Sequence, residues 1–217
     1  MATADRLLAI YRALADAFGP QHWWPGETPL EIVVGAVLTQ NTNWANVEKA
    51  IINLKAHDLL DLAELASLPP EILAHHIRPA GYYNLKAKRL QNLLRLIHAQ
   101  GGDLDTFLAQ PAGQLRQTLL SVKGIGPETA DSIILYAANQ PIFVVDAYTH
   151  RLLLRHNLIS EEADYHEIQE LFMDNLPPDP ALFNEYHALI VSCGKQFCKK
   201  SNPNCPACPL FSLDGQL

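Results

Sequence analysis

No apolar run in this sequence reaches the length of a membrane span. Nor does the N-terminal MATADRLLAIYRALADAF read as a cleaved signal, because it carries Asp5 and Asp16 inside an amphipathic pattern. Both absences point to a soluble, cytoplasmic chain. There is no excess of basic residues, since the formal net charge is −7. That excludes a protein that coats nucleic acid with its whole surface, but not one that works through a local basic face. Alternating strand pairs, internal repeats and low-complexity stretches are absent; IFVVDAY could be a strand, but it would lack a partner. With 217 residues, 48% hydrophobic and 18% charged, the chain is globular rather than disordered, with room for one domain or two small ones.

Helical periodicity fills the space those absences leave. Leu7, Leu8, Tyr11, Leu14, Ala15 and Phe18 share one face of a first helix, and LEIVVGAVLTQ, VEKAIINLKA, LKAKRLQNLLRLIHA, TADSIILYAA, THRLLLRH, YHEIQELFMD and ALFNEYHALIVSC repeat the pattern. Short connections hold many of the prolines and glycines. Two basic clusters, Lys86 with Lys88 and Arg89, and Lys195 with Lys199 and Lys200, read first as solvated faces.

VKGIGPETA, residues 122–130, sets two glycines before a helix. Gly124 and Gly126 permit a tight backbone approach, and Pro127 suits a first helical turn. Such a turn can present backbone N–H groups to a phosphate; by itself it is equally a plain turn between helices. Twenty residues after Gly126 stands Asp146, at the end of an apolar run. It can serve as a base or as counter-charge to a cation, and also as the N-cap of the next helix.

Together these marks resemble the helix-hairpin-helix DNA glycosylase superfamily, of which endonuclease III is the best-known member, over nearly the whole chain. PLEIVVGAVLTQNT is similar to the early helix and the turn whose Gln, here Gln40, wedges into the duplex. IRPAGYYNLKAKRL is similar to a further family segment. The resemblance implies that Gly124, Ile125, Gly126 and Thr129 meet DNA and that Asp146 is catalytic. Two departures matter. Bifunctional members carry a nucleophilic lysine where this chain has Glu128, and a carboxylate cannot form a Schiff base. The adenine-mismatch branch carries a catalytic Glu where this chain has Ala36.

All three tryptophans, Trp23, Trp24 and Trp44, lie near that early helix. They read either as plugs between helical layers or as a stacking slot for a cationic base, at about 0.5–2 kcal/mol per cation–π contact. Trp23-Trp24-Pro25, the aromatic Trp44 after LTQNT, KGIGPETAD, the Val-Asp pair ending at Asp146 and the late Gly194-Lys195 resemble the 3-methyladenine DNA glycosylase III branch. The resemblance implies a base pocket of Trp23, Trp24, Pro25, Trp44 and Lys195. An alkylated purine already carries positive charge while bound to the sugar, so it leaves as a neutral base without a general acid, and flipping, stacking and stabilising the sugar cation suffice.

Cys193, Cys198, Cys205 and Cys208 crowd the C-terminal segment. In a cytoplasmic protein they suggest metal rather than disulfides, and four thiolates suit iron–sulfur or zinc. The last three resemble three ligands of the endonuclease III 4Fe-4S loop, with Asp214 at the fourth position and Cys193 able to replace it. An empty site is the alternative. The histidines, among them His75, His76, His150 and His187, form no metal spacing and read as surface or core residues.

The resemblance thus implies an all-α, two-lobed endonuclease III-like fold with a C-terminal cysteine-rich metal loop. One lobe would be a six-helix bundle over residues 26–139. The other would combine 1–25 with 140–217, including the cysteine loop at 193–208, and damaged double-stranded DNA would lie in the cleft. The expected protein is a monomeric, monofunctional glycosylase for alkylated purines, nucleoid-associated in a prokaryote. The alternatives are an endonuclease III-like enzyme for damaged pyrimidines and a catalytically silent DNA-binding module.

Overall fold

A computed structural model describes residues 2–213, and among them there is no β-strand. The chain forms two compact units: residues 1–23 with 141–217, and residues 24–140.

The second unit is built on α2 (Pro29–Leu38). Thr28 caps it by accepting from the Glu31 N–H, and seven of its ten residues are buried. A helix apolar all round must be a central one. Packed around it are α3 (Trp44–Ala56), α6 (Tyr83–Ala99), α7 (Leu104–Leu108) and α9 (Pro127–Ser132). The same unit contains α4 (Leu62–Ser67), α5 (Pro70–His76) and α8 (Ala112–Leu120). The helices α4, α5 and α7 are one or two turns long, too short for periodicity to reveal, so the unit carries more helices than the six expected. Asn43, Asp61 and Asp103 cap α3, α4 and α7. After α9 the helix widens into a π turn, Ile133–Ala137, a device that re-aims side chains.

The first unit holds α1 (Thr3–Phe18), α10 (Ala147–Arg155), α11 (Tyr165–Met173) and α12 (Pro180–Gln196). Its core stacks Phe143 on Phe172 at 3.6 Å and buries Tyr186, whose hydroxyl donates to the Leu7 carbonyl at 2.7 Å. Ile142 to Val145 are buried and lie outside any helix or strand. They form no strand because side chains take the place of a ladder: Gln169 donates to the Phe143 carbonyl at 2.7 Å, and the Val145 N–H reaches the Tyr165 hydroxyl. Asp146 ends this run as the cap of α10, and Asp164 with Glu167 forms a capping box on α11.

Candidate active site and nucleic-acid interface

In the second unit, the turn between α8 and α9 is the hairpin. Gly124 sits at φ +99°, and a Cβ there would collide with the stem of Arg89. Only glycine fits both demands. Gln40 closes the arrangement: its amide donates to the Gly124 carbonyl at 3.1 Å and to the Thr129 hydroxyl at 3.0 Å, while its oxygen accepts from Arg89. Gln40 and Thr129 therefore hold the hairpin's shape, and the buried Ile125 side chain leaves only its backbone for a ligand. Glu128 is exposed in the first turn of α9. The buried Asp131 takes a two-toothed grip from Arg116, at 2.7 and 3.1 Å.

The basic cluster on α6 is not a solvated face. Lys86 is 1% exposed, and its ammonium donates to the Leu38 and Ala80 carbonyls at 2.8 and 2.7 Å. Burial, with Arg89 nearby, pulls its pKa down to about 8. It fixes the end of α2, from which the Gln40 turn departs. Of the three cations only Lys88 stands exposed.

Trp24 meets Trp44 edge-on at 5.1 Å and lies 5.1 Å from Tyr136 of the π turn, with Gly35 of α2 beneath both indoles. Pro25 next to them is exposed. Ala36 is buried. Tyr82, which sequence reasoning passed over as part of a motif, is 72% exposed in the left-handed region at φ +47°. A bulky residue held there marks strain stored at a loop.

In the first unit, Asp146 caps α10 with one carboxylate oxygen. Its Oδ1 accepts from the Tyr148 N–H at 2.9 Å, the Thr149 N–H at 2.8 Å and the Thr149 hydroxyl at 2.9 Å. Its Oδ2 lies 3.7 Å from His187 Nε2. Burial pushes the carboxyl up, but His187 and the Thr149 donors outweigh it and hold the pKa below the ordinary 3.8. His187 was read as an ordinary surface or core histidine; it is buried on α12 and faces the carboxylate. Spacing gave no signal for this pair, because helix packing alone unites them. That packing is close at Gly194, where a Cβ would strike the Tyr148 ring. Lys195 is exposed with its Nζ 5.8 Å from the Trp23 ring. The boundary between units falls between Trp23 and Trp24, so the five expected pocket residues are divided: Trp23 and Lys195 here, Trp24, Pro25 and Trp44 in the other unit.

The four cysteines are partly gathered. Cys193 and Cys208 bring their sulfurs to 3.8 Å, and that contact, with burial, raises the Cys193 pKa. Cys198 accepts from Arg155 Nη1 at 3.2 Å, and Cys205 is exposed. Arg155 and Arg151 of α10 also hold the Lys199 and Cys198 carbonyls, at 2.9 and 2.7 Å. Among the described residues no three His, Cys, Asp or Glu come together as metal ligands. The set as it stands does not fit a four-thiolate cluster, and Asp214 lies outside the described residues.

Among the described residues no helix is long and apolar enough to cross a membrane. The family model for HhH-GPD superfamily base excision DNA repair proteins matches residues 34–178. A Methanocaldococcus jannaschii protein that carries the provisional name DNA repair glycosylase is 49% identical over 95% of this chain and 94% of its own. The structure of H. pylori 3-methyladenine DNA glycosylase bound to 1,N6-ethenoadenine aligns at TM-score 0.78 and 32% identity, over 90% of this chain and 98% of that one. A non-covalent endonuclease III–DNA complex aligns at TM-score 0.84 over 100% of this chain and 98% of that one; at 24% identity it speaks to the fold alone.

Proposed function

The chain belongs to the HhH-GPD superfamily of base excision DNA repair proteins and is a DNA glycosylase, and on that premise we propose that it releases alkylated purines by hydrolysis and leaves the strand intact. The observation that carries the reading is the Asp146 carboxylate. One oxygen is saturated by three donors, so the group is rigid and ionised, and the other is left for chemistry. A fixed anion in a buried setting is what an oxocarbenium-like sugar needs. The same oxygen can take a proton from the attacking water.

The substrate class is supported by aromatic faces. Trp24 and Trp44 stand together, and Trp23 carries Lys195 beside it. Electron-rich rings favour a base that carries positive charge. The 32% likeness to a glycosylase bound to 1,N6-ethenoadenine favours a modified purine as well. The hairpin backbone at Gly124 and Gly126 would take DNA phosphate, held in shape by Gln40 and Thr129. Gln40 would wedge into the duplex only after releasing that grip. Tyr82 offers a further exposed ring for stacking on DNA. Glu128 supplies no amine for a lyase step.

The cysteine segment is proposed as a metal loop that closes on loading, with a 4Fe-4S cluster as the first reading. The Cys193–Cys208 separation favours a second: two thiolates on one tetrahedral zinc, with bonds near 2.3 Å, stand about 3.8 Å apart. Iron, sulfide and zinc analysis of anaerobic protein decides between them. No step of the reaction depends on the outcome.

The test is release of free base from methylated-purine, ethenoadenine and oxidised- or mismatched-pyrimidine duplexes, with and without alkali, and with borohydride during turnover. Purine release, strand scission only after alkali and no trapped adduct are expected. Release confined to pyrimidines would favour the endonuclease III-like alternative. A trapped adduct lost in Lys195→Ala would overturn the monofunctional reading. No release from any duplex, with lesion binding retained, would leave a DNA-binding module.

A further inference from the structure

Asp146 has two duties that conflict. Stabilising a cation wants a carboxylate that stays charged, and three donors on Oδ1 ensure that. A carboxylate held that firmly ionised is, for the same reason, a weak proton acceptor. The geometry supplies a partner at the one oxygen that the helix cap does not use. His187 Nε2 lies 3.7 Å from Asp146 Oδ2, both groups are largely shielded from solvent, and they come from helices packed against each other. That separation is too long for a direct hydrogen bond. It is short enough for one water to lie about 2.8 Å from each atom, off the line that joins them.

We propose that His187 and Asp146 together hold the attacking water, and that His187 is the final acceptor of its proton. This inference rests on the catalytic role proposed for Asp146. The step balances as follows. The C1′–N bond breaks and its electron pair leaves with the base. The water oxygen bonds to C1′, its O–H bond breaks, and the proton passes to Asp146 Oδ2. The new C1′ hydroxyl, still lying between the two groups, relays it: the hydroxyl oxygen takes the proton back from Asp146 Oδ2 while its own hydrogen passes to the lone pair of His187 Nε2, which later yields it to solvent; this requires a neutral ring with its own hydrogen on Nδ1. Asp146 is thereby returned to its anionic form while the sugar centre is still being satisfied. The Phe143 ring stands edge to face with the imidazole, their centroids 6.4 Å apart.

The test uses the full chain and whichever duplex of the panel above the wild type acts on fastest. Single-turnover base release and lesion-duplex Kd are measured for wild type, Asp146→Asn, His187→Gln and His187→Leu. Gln keeps a polar group near the Nε2 position but cannot take a proton; Leu keeps bulk alone. The expected result is a fall in rate of at least about 30-fold in both His187 variants, with Kd within about two-fold of wild type. A His187→Gln rate near wild type, with Asp146→Asn inactive, overturns this inference and leaves the catalytic reading of Asp146 standing. A loss of rate matched by an equal loss of affinity assigns His187 a structural role and overturns it too. Near-wild-type rates in Asp146→Asn, or no release by the wild type from any duplex, overturn both.

Discussion

Around the hairpin, side chains from three distant stretches close on one another: Gln40 after α2, Arg89 on α6, and Gly124 and Thr129 at the hairpin itself. In the cysteine segment the reverse holds. Four thiols lie within residues 193–208, and Cys193 and Cys208 bring their sulfurs to 3.8 Å, yet among the described residues no three ligands come together. Nearness in sequence has not by itself gathered the thiols, and distance has not kept the hairpin's side chains apart. The difference lies in what satisfies the polar groups. Amide, guanidinium, hydroxyl and carbonyl complete each other's hydrogen bonds without help, so the hairpin is assembled by protein alone. Thiols are weak donors and weak acceptors and have no such pull toward one another. Arg151 and Arg155 hold that segment instead, mainly through its backbone. The helix α10 touches both kinds of order, since Asp146 caps its start and Arg155 lies in its last turn.

The largest effect expected is at the self-assembled carboxylate. Asp146→Asn should lower single-turnover base release about 10²–10⁴-fold with lesion binding nearly unchanged. A near-normal rate would reduce Asp146 to a helix cap. Its pH behaviour follows from the sign of its shift. The folded pKa lies below the unfolded 3.8, so its contribution to stability is complete above that value. It is lost as pH falls through the folded pKa. Acid titration of wild type against Asp146→Asn, followed by unfolding, should separate only in that range.

Lys86→Met should come next. It strips two buried carbonyls of their donor, at a cost of about 2–3 kcal/mol, read as a lower thermal or urea midpoint. The pH dependence sharpens this. The unfolded lysine titrates near 10.5 and the folded one at about 8, so the unfolded chain binds more protons between them. Wild-type stability should therefore rise across that window relative to Lys86→Met; a flat difference would show that the ammonium is not strained by burial.

Thr129→Val removes one acceptor of the Gln40 clasp at nearly constant volume. Duplex affinity should weaken about three- to ten-fold while the fold persists. Unchanged affinity would mean that the hairpin needs no clasp to seat DNA. The smallest effect is expected across the comparison: Cys205→Ser should lower the content of bound metal yet leave base release within about two-fold, because the arginines of α10 hold the segment. A collapse of activity would show that the metal, rather than those arginines, supports α10.

Much of the architecture was legible from sequence because it depends on local rules. Apolar residues at helical spacing marked α2, α3, α6 and α10 to α12, and Gly124-Ile125-Gly126-Pro127 marked the hairpin. Asp146 stood out because an acid after an apolar run both caps a helix and can serve chemistry, and the cap is present. Short helices such as α4 and α7 escaped, since a turn or two cannot establish a period. Tertiary structure alone decided which charges went inside. Nothing local distinguishes Lys86 from Lys88, but one faces the end of α2 and the other water, a difference of two positions on a helix. It alone paired His187 with Asp146, because the crossing of α10 and α12 permitted by Gly194 joins residues that no spacing rule connects. Hydrophobic periodicity states which face is buried; only the packing of those faces determines which polar groups meet there.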